Sequence, residues 1–132
     1  MLKKPALIQR LNSAYGRQKV YESTLDRVSN RLALEESAIL SSADILQRLK
    51  ELAVLSKDGN VSSSDRALGI FTEVTQLRES LLSQANHQDI DGNYIFSGSD
   101  VKSAAFTDIA GTTDYRGNQQ RMTVDISENL YL

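Results

Sequence analysis

Asp89, Asp91 and Asn93 have the 1, 3, 5 spacing with which a calcium-binding loop begins. Such a loop needs glycine at its sixth position and glutamate at its twelfth. Here Tyr94 and Asp100 stand at those positions, and the glycine, Gly92, comes at the fourth. The stretch therefore reads as a turn that closes a helix. His87 is the chain's one histidine, so no second imidazole is present to share a metal. In the last turn of a helix it interacts favourably with the helix dipole. The paired hydroxyls of Ser41 and Ser42 fall in mid-helix with no base nearby in sequence. Residues 92–99 contain neither a GxSxG elbow nor a phosphate-loop lysine. Catalysis needs a nucleophile, a base and an oxyanion site together. No such set is visible, so the expected numbers of catalytic, metal and cofactor-binding residues are all none. The architectural reading remains. Asp91-Gly92-Asn93 lets the chain leave a helix, because Gly and Asn tolerate positive φ. Tyr94 and Phe96 then share one side of an extended segment and pack on the end of the helices, and Gly98 makes the next turn.

The chain of 132 residues is the size of one domain. It has 15 basic and 17 acidic residues, a net charge of −2, interspersed along the sequence. That balance gives no reason to expect nucleic acid or an anionic membrane as a partner. The longest apolar runs are too short for a bilayer-spanning helix. "MLKKPAL" carries a charge pair with no apolar stretch behind it, which is not the form of a signal peptide. The absence of cysteine excludes disulfides, thiolate chemistry and cysteine-based zinc sites. The single proline, Pro5, leaves nearly the whole chain free to form long helices.

Steps of four and three from Leu7 give Leu11, Ala14, Gln18, Tyr21, Leu25, Val28, Leu32, Glu35, Ile39, Ser42, Leu46, Leu49 and Ala53, so that eleven of the fourteen positions are apolar. With about 3.6 residues per turn, these positions share one side of a helix. The spacing predicts a helix over 5–57, with Pro5 in its first turn, a weak point at Gly16 and a stop at Gly59. A second helix is predicted over 63–88. It starts at a capping-box-like pair, Ser62 and Asp65. Its apolar face holds Ala67, Ile70, Val74, Leu77, Leu81, Leu82 and Ala85. The short loop makes the two antiparallel. From 92 to 132 the period changes to short strands and turns. "RMTVDI" alternates as a half-buried strand, Gly117-Asn118 is a hairpin-turn signal ahead of it, and further short strands are expected near Tyr94–Phe96 and Phe106. The fold class is mainly α: a long antiparallel helical hairpin with a small β-hairpin element at one end, in a single rod-like domain over 1–132. Leu25, Val28, Leu32, Leu46, Leu49, Val74, Leu77 and Leu81 are the expected structural core. The first helix outruns the second, so part of its stripe has no partner within the chain. Another chain, or a returning segment beyond Leu132, is expected to cover it. Exposed charges such as Arg17, Arg27, Asp65 and Arg66 are candidates for subunit contacts.

"RLKELAV" (48–54), the Ser/Asp-rich break and "EVTQLRESLLSQAN" (73–86) resemble the helical hairpin of the flagellin superfamily rod domain. Asn86, followed by Asp91, Gly92, Tyr94, Phe96 and Gly98, is similar to the N-x-x-D-G-x-Y-x-F-S-G signature of FlgL-type hook-associated proteins. "DYRGNQQRMTVDI" resembles the segment of that family in which a Tyr-x-Gly turn precedes a strand. The resemblance covers nearly the whole chain from Pro5 onward. It implies a structural subunit of the bacterial flagellum, forming the junction between hook and filament through helix–helix contacts, without catalysis or cofactor. The implied partners are further copies of itself, other hook-associated proteins, hook protein and flagellin. The implied location is extracellular, after export by the flagellar secretion apparatus. The family's inner-tube termini and returning helix have no counterpart in this sequence, so a fragment covering the N-terminal part of the rod domain is expected. A filament flagellin, or an unrelated coiled-coil adaptor binding partner helices, are the alternatives.

Overall fold

The structure, a computed structural model, describes residues 3–58, 63–128 and 130–131. Helix α1 runs over Lys3–Lys57 and helix α2 over Ser64–Ala85. Four short strands follow: β1 (Phe106–Ile109), β2 (Thr112–Tyr115), β3 (Asp125–Ser127) and β4 (Leu130–Tyr131). They pair as two separate antiparallel ribbons, β1–β2 and β3–β4. Among the described residues, no helix is long and apolar enough to cross a membrane. α1 continues through Gly16 without a break. The N-cap of α2 is Ser63, whose hydroxyl accepts the Arg66 N–H; an acidic residue, Asp65, sits in the first turn, where the helix dipole favours it. The predicted cap Ser62 and the predicted stop Gly59 lie outside the described residues.

The chain groups into two compact units. The first comprises residues 1–33 and 121–132, the second residues 34–120. In the first unit, the N-terminal part of α1 is held to the returning chain by polar contacts. Arg17 Nε lies 2.9 Å from Glu128 Oε1, and Arg31 Nη1 donates to Met122 Sδ at 3.0 Å. The alternation predicted for "RMTVDI" shows in burial only from Thr123 on, with Val124 and Ile126 half-buried and Thr123 and Asp125 exposed, whereas Met122 on the expected inward side is exposed like Arg121. Only Asp125–Ser127 is strand, because β4 offers just two residues to pair with and the register shifts between Asp125 and Ser127.

The second unit holds every buried residue among those described: Ala38, Leu52, Ile95, Ser97 and Ala105. Arg48 fixes the level of α2 against α1. Its guanidinium donates to Glu73 at 2.6 and 3.1 Å and to Glu51 at 3.1 Å. In β1–β2 the register pairs Ile109 with Thr112 across a two-residue turn. Ala110 and Gly111 both have positive φ, 54° and 82°. That is the backbone of a type I′ hairpin turn, whose twist suits paired strands. The hairpin turn thus lies at Ala110-Gly111, not at the predicted Gly117-Asn118.

The covered face of α1 differs from the predicted one by a single step. Positions 21, 28, 35, 42 and 49 are half-buried, as the heptad required. Their covered companions are three residues on, at Thr24, Arg31, Ala38, Ile45 and Leu52. The companions four residues on are Leu25, Leu32, Ile39 and Leu46, and they stay exposed. A step of three turns the helix about 60° one way and a step of four about 40° the other, so the two rows flank a shared one. Leu52 is 2% exposed, whereas Leu46 is 54% exposed. Of the expected core, Val28, Leu49, Leu77 and Leu81 are half-buried. Leu25, Leu32, Leu46 and Val74 are exposed and are not core within this chain.

Candidate functional site

The loop that leaves α2 is built around Asn86. As the C-cap it donates its backbone N–H to Leu82 O at 3.0 Å. Its side chain then pairs with the backbone of Phe106 in both directions: Nδ2 donates to Phe106 O at 2.8 Å, and Oδ1 accepts from Phe106 N at 2.8 Å. One amide side chain thereby imitates a strand neighbour and ties the start of β1 to the end of α2. Arg78, two turns back on α2, holds the other end of the ribbon. It donates to Asp108 Oδ2 at 2.7 Å and to Thr113 Oγ1 at 3.0 Å. The guanidinium beside it holds the Asp108 carboxyl below its usual range, through the hydrogen bond first and the opposite charge second.

The Asp89–Asp91–Asn93 spacing serves a turn. Asp89 Oδ1 accepts the backbone N–H groups of Asp91 and Asn93, each at 2.9 Å. The acid that a calcium loop would use first is thus hydrogen-bonded to its own loop, an Asx turn. Gly92 has φ +77°, which glycine adopts without strain. Among the described residues, no group of three or more His, Cys, Asp or Glu is placed to hold a metal ion. His87 is half-buried, and its carbonyl accepts Ile95 N–H at 3.1 Å.

Tyr94 and Phe96 were expected to share a packed side of an extended segment. Residue 94 makes one isolated bridge to Gln88, and the following residues turn. Ile95 between them is the buried residue, at 4% exposure, while Tyr94 and Phe96 are half-buried. Ser97 is fully buried, and its hydroxyl is satisfied by Asp100 O at 2.7 Å. Gly98 has φ +70°, and a Cβ there would run into the carbonyl and side chain of Asn118. Asn118 closes the loop from the far side. Its Oδ1 accepts from Ser99 N and Gln120 N, each at 3.1 Å, and its Nδ2 donates to Ser99 Oγ at 2.8 Å. Tyr115 Oη donates to Asn118 O at 2.8 Å, and its ring lies 5.2 Å from that of Phe106.

The predicted signature residues therefore fall in one loop, with distinct tasks. Asn86 ties, Gly92 and Gly98 turn, Tyr94 and Phe96 pack at the surface, and Asp91 is exposed with its N–H given to Asp89. Sequence reasoning missed Ser97, the tie made by Asn118 and the Arg78–Asp108 pair. Gly117-Asn118 was the visible trace of Asn118, but it marked a loop closure and not a hairpin. The arrangement brings together hydrogen-bonding groups that are satisfied by one another. It is a rigid corner between a helix and a ribbon.

Residues 5–101 match the bacterial flagellin N-terminal helical region. The chain is 28% identical over 122 residues to flagellar hook-associated protein 3 of Escherichia coli K12, covering 92% of this chain and 38% of that protein. It is 28% identical over 116 residues to the protein of the same name from Salmonella typhimurium LT2, covering 88% and 36%. Among solved structures, FlgL of Xanthomonas campestris is similar with a TM-score of 0.79 and 32% identity, over 92% of this chain and 39% of that one. The chain thus spans well under half the length of the curated relatives it matches.

Proposed function

The chain belongs to the bacterial flagellin N-terminal helical family, and on that premise we propose that it serves in a junction subunit between flagellar hook and filament, held by helix–helix contacts. The observation that supports this reading most is the uncovered row on α1. Leu25, Leu32, Ile39 and Leu46 recur every seven residues, all exposed. A straight row of large apolar side chains beside an already covered row is the form of a helix gripped from a second direction. On this reading Leu49, Leu77 and Leu81 hold the hairpin, Val28 packs within its own unit, and Leu25, Leu32, Leu46 and Val74 meet helices outside the described chain. The corner at Asn86 to Gly98 sets the direction in which the chain leaves the hairpin. The work is mechanical, without catalysis or cofactor. The partners are further copies, other hook-associated proteins, hook protein and flagellin, assembled outside the cell after export.

The test is a deletion strain. Without the junction subunit, filament monomers should be shed into the medium, and the wild-type gene should restore attached filaments. A Leu32→Glu, Leu46→Glu variant should fold yet fail to restore them. A deletion strain that keeps full-length filaments and sheds nothing removes the junction role. That outcome leaves filament flagellin as the second reading, which the match to the bacterial flagellin N-terminal helical region supports.

A further inference from the structure

We infer that Met122 is a site of reversible oxidation, and that its sulfoxide tightens the hold of α1 on the returning chain. The tie concerned is the Arg31 Nη1–H donated to Met122 Sδ at 3.0 Å. Both residues belong to the first unit. A thioether sulfur is a weak acceptor, so the bond holds little as it stands. The sequence has no cysteine and two methionines, Met1 and Met122, of which Met1 lies outside the described residues. Met122 thus carries the single sulfur atom among the described residues, and at 48% exposure a small oxidant reaches it.

The step is a two-electron oxidation by a peroxide. A sulfur lone pair attacks one peroxide oxygen, an S–O bond forms and the O–O bond breaks. The second oxygen leaves as hydroxide and takes the proton of the transferred one, so hydrogen peroxide yields methionine sulfoxide and water. Sulfoxidation disrupts a core because it sets a polar group among apolar ones. Here that cost is small, since Met122 stands half in water and no described residue of the first unit is fully buried. The gain is electrostatic. The new oxygen carries partial negative charge beside the Arg31 guanidinium, and a charge-assisted N–H···O bond is stronger than one to a thioether. Little else competes in holding the returning chain. The Arg17–Glu128 pair is more than half exposed on both sides, where such pairs are worth little. β3 has three residues and β4 two, and Val124 and Ile126 are only half-buried. In a segment held this lightly, one stronger bond changes how often it opens.

The experiment treats the full chain with hydrogen peroxide under native conditions. Peptide mass mapping locates the oxygen taken up at Met1 and Met122, and nuclear magnetic resonance follows backbone amide exchange. Met122 is expected to gain one oxygen. Exchange over residues 123–128 should then slow by about two- to ten-fold, the worth of one hydrogen bond, with the middle of α1 unchanged. Methionine sulfoxide reductases should return it to its former rate. Met122→Leu keeps Met1 and a similar volume, so peroxide should leave its exchange as it was. Arg31→Ala should still be oxidised at Met122 but show no slowing. Each variant is compared with itself before and after peroxide, so a change in its starting stability does not enter. Unchanged or faster exchange in the oxidised chain overturns the inference. Slowing that survives in Arg31→Ala or Met122→Leu overturns it equally, as does a Met122 that stays reduced while free methionine in the same solution is oxidised.

Discussion

Leu52→Ala and Leu46→Ala form a matched pair on the same helix and in the same unit. Each removes three carbons from one leucine. At about 0.8 kcal/mol per buried CH2, Leu52 loses about 2.4 kcal/mol of transfer free energy. It is 2% exposed, so a cavity remains where α2 cannot close in, and the total rises to about 3–4 kcal/mol. Leu46 is 54% exposed, so about half of the transfer term is at stake and no cavity forms. Alanine's better helix propensity offsets a few tenths of that, leaving under about 1 kcal/mol. For a chain of this size, about 4 °C of melting temperature accompanies each kcal/mol. Thermal melts followed by far-ultraviolet circular dichroism should therefore show a drop of roughly 12–16 °C for Leu52→Ala and under about 4 °C for Leu46→Ala. Equal losses, or a larger loss for Leu46→Ala, would mean that the covered row of α1 is the one four residues on, and the assignment of faces would be wrong.

Two further outcomes are expected in solution. Asn86→Ala removes both bonds to Phe106 and leaves a part-buried backbone pair without its partner, at a cost of about 1–3 kcal/mol. Amide exchange at Phe106 should accelerate while exchange in the middle of α1 does not; an unchanged Phe106 amide would show that the ribbon is held by other means. The second outcome concerns pH. The Asp108 carboxyl is held below its usual range by Arg78, and that of Glu73 by Arg48, the hydrogen bond being the larger cause in each. A depressed carboxylate stabilises the fold above its unfolded value and loses that contribution as pH falls through the folded one. Chemical shifts of the β1–β2 ribbon should hold steady down to about pH 4 and change only below it. In Asp108→Asn the low-pH change at the Arg78 guanidinium should disappear, and an Arg78 signal that titrates near pH 6 would contradict the assignment.

The heptad from Leu7 to Ala53 made the long helix legible, and the change of period after residue 90 made the ribbon region legible. The covered side of α1 was not legible, for a physical reason. The row that α2 and the returning chain cover contains Thr24, Arg31 and Ala38, small or polar residues suited to close approach or to polar contacts. The neighbouring row contains Leu25, Leu32 and Ile39, so counting apolar side chains selects the uncovered row. The corner was half legible. Asn86, Gly92 and Gly98 are residue types whose backbone roles show in the sequence. Ser97 and Asn118 act through bonds to residues whose proximity only the folded chain supplies. The hairpin turn escaped notice because Ala110 adopts positive φ, which alanine rarely does.

The larger side chains lying on the uncovered row bear on how such a chain can be specific. If the proposed contacts form, the second grip on α1 removes more apolar area per residue than the first over residues 24–46, where Leu25, Leu32, Ile39 and Leu46 stand beside Thr24, Arg31, Ala38 and Ile45. Apolar attraction is not directional, and a repeat of seven matches itself equally well when slid by one heptad. Register must then come from features that do not repeat. Charge is in part such a feature: Lys3, Arg10, Arg17 and Arg31 keep the seven-residue spacing, but Lys19 and Arg27 do not, and residues 34–120 hold thirteen acidic against seven basic residues. A slip of one heptad would leave the apolar row matched but would displace the charges that break the repeat by about 10 Å, a full screening length at physiological salt. Leucines would then supply the strength of assembly, and the non-repeating charges its alignment.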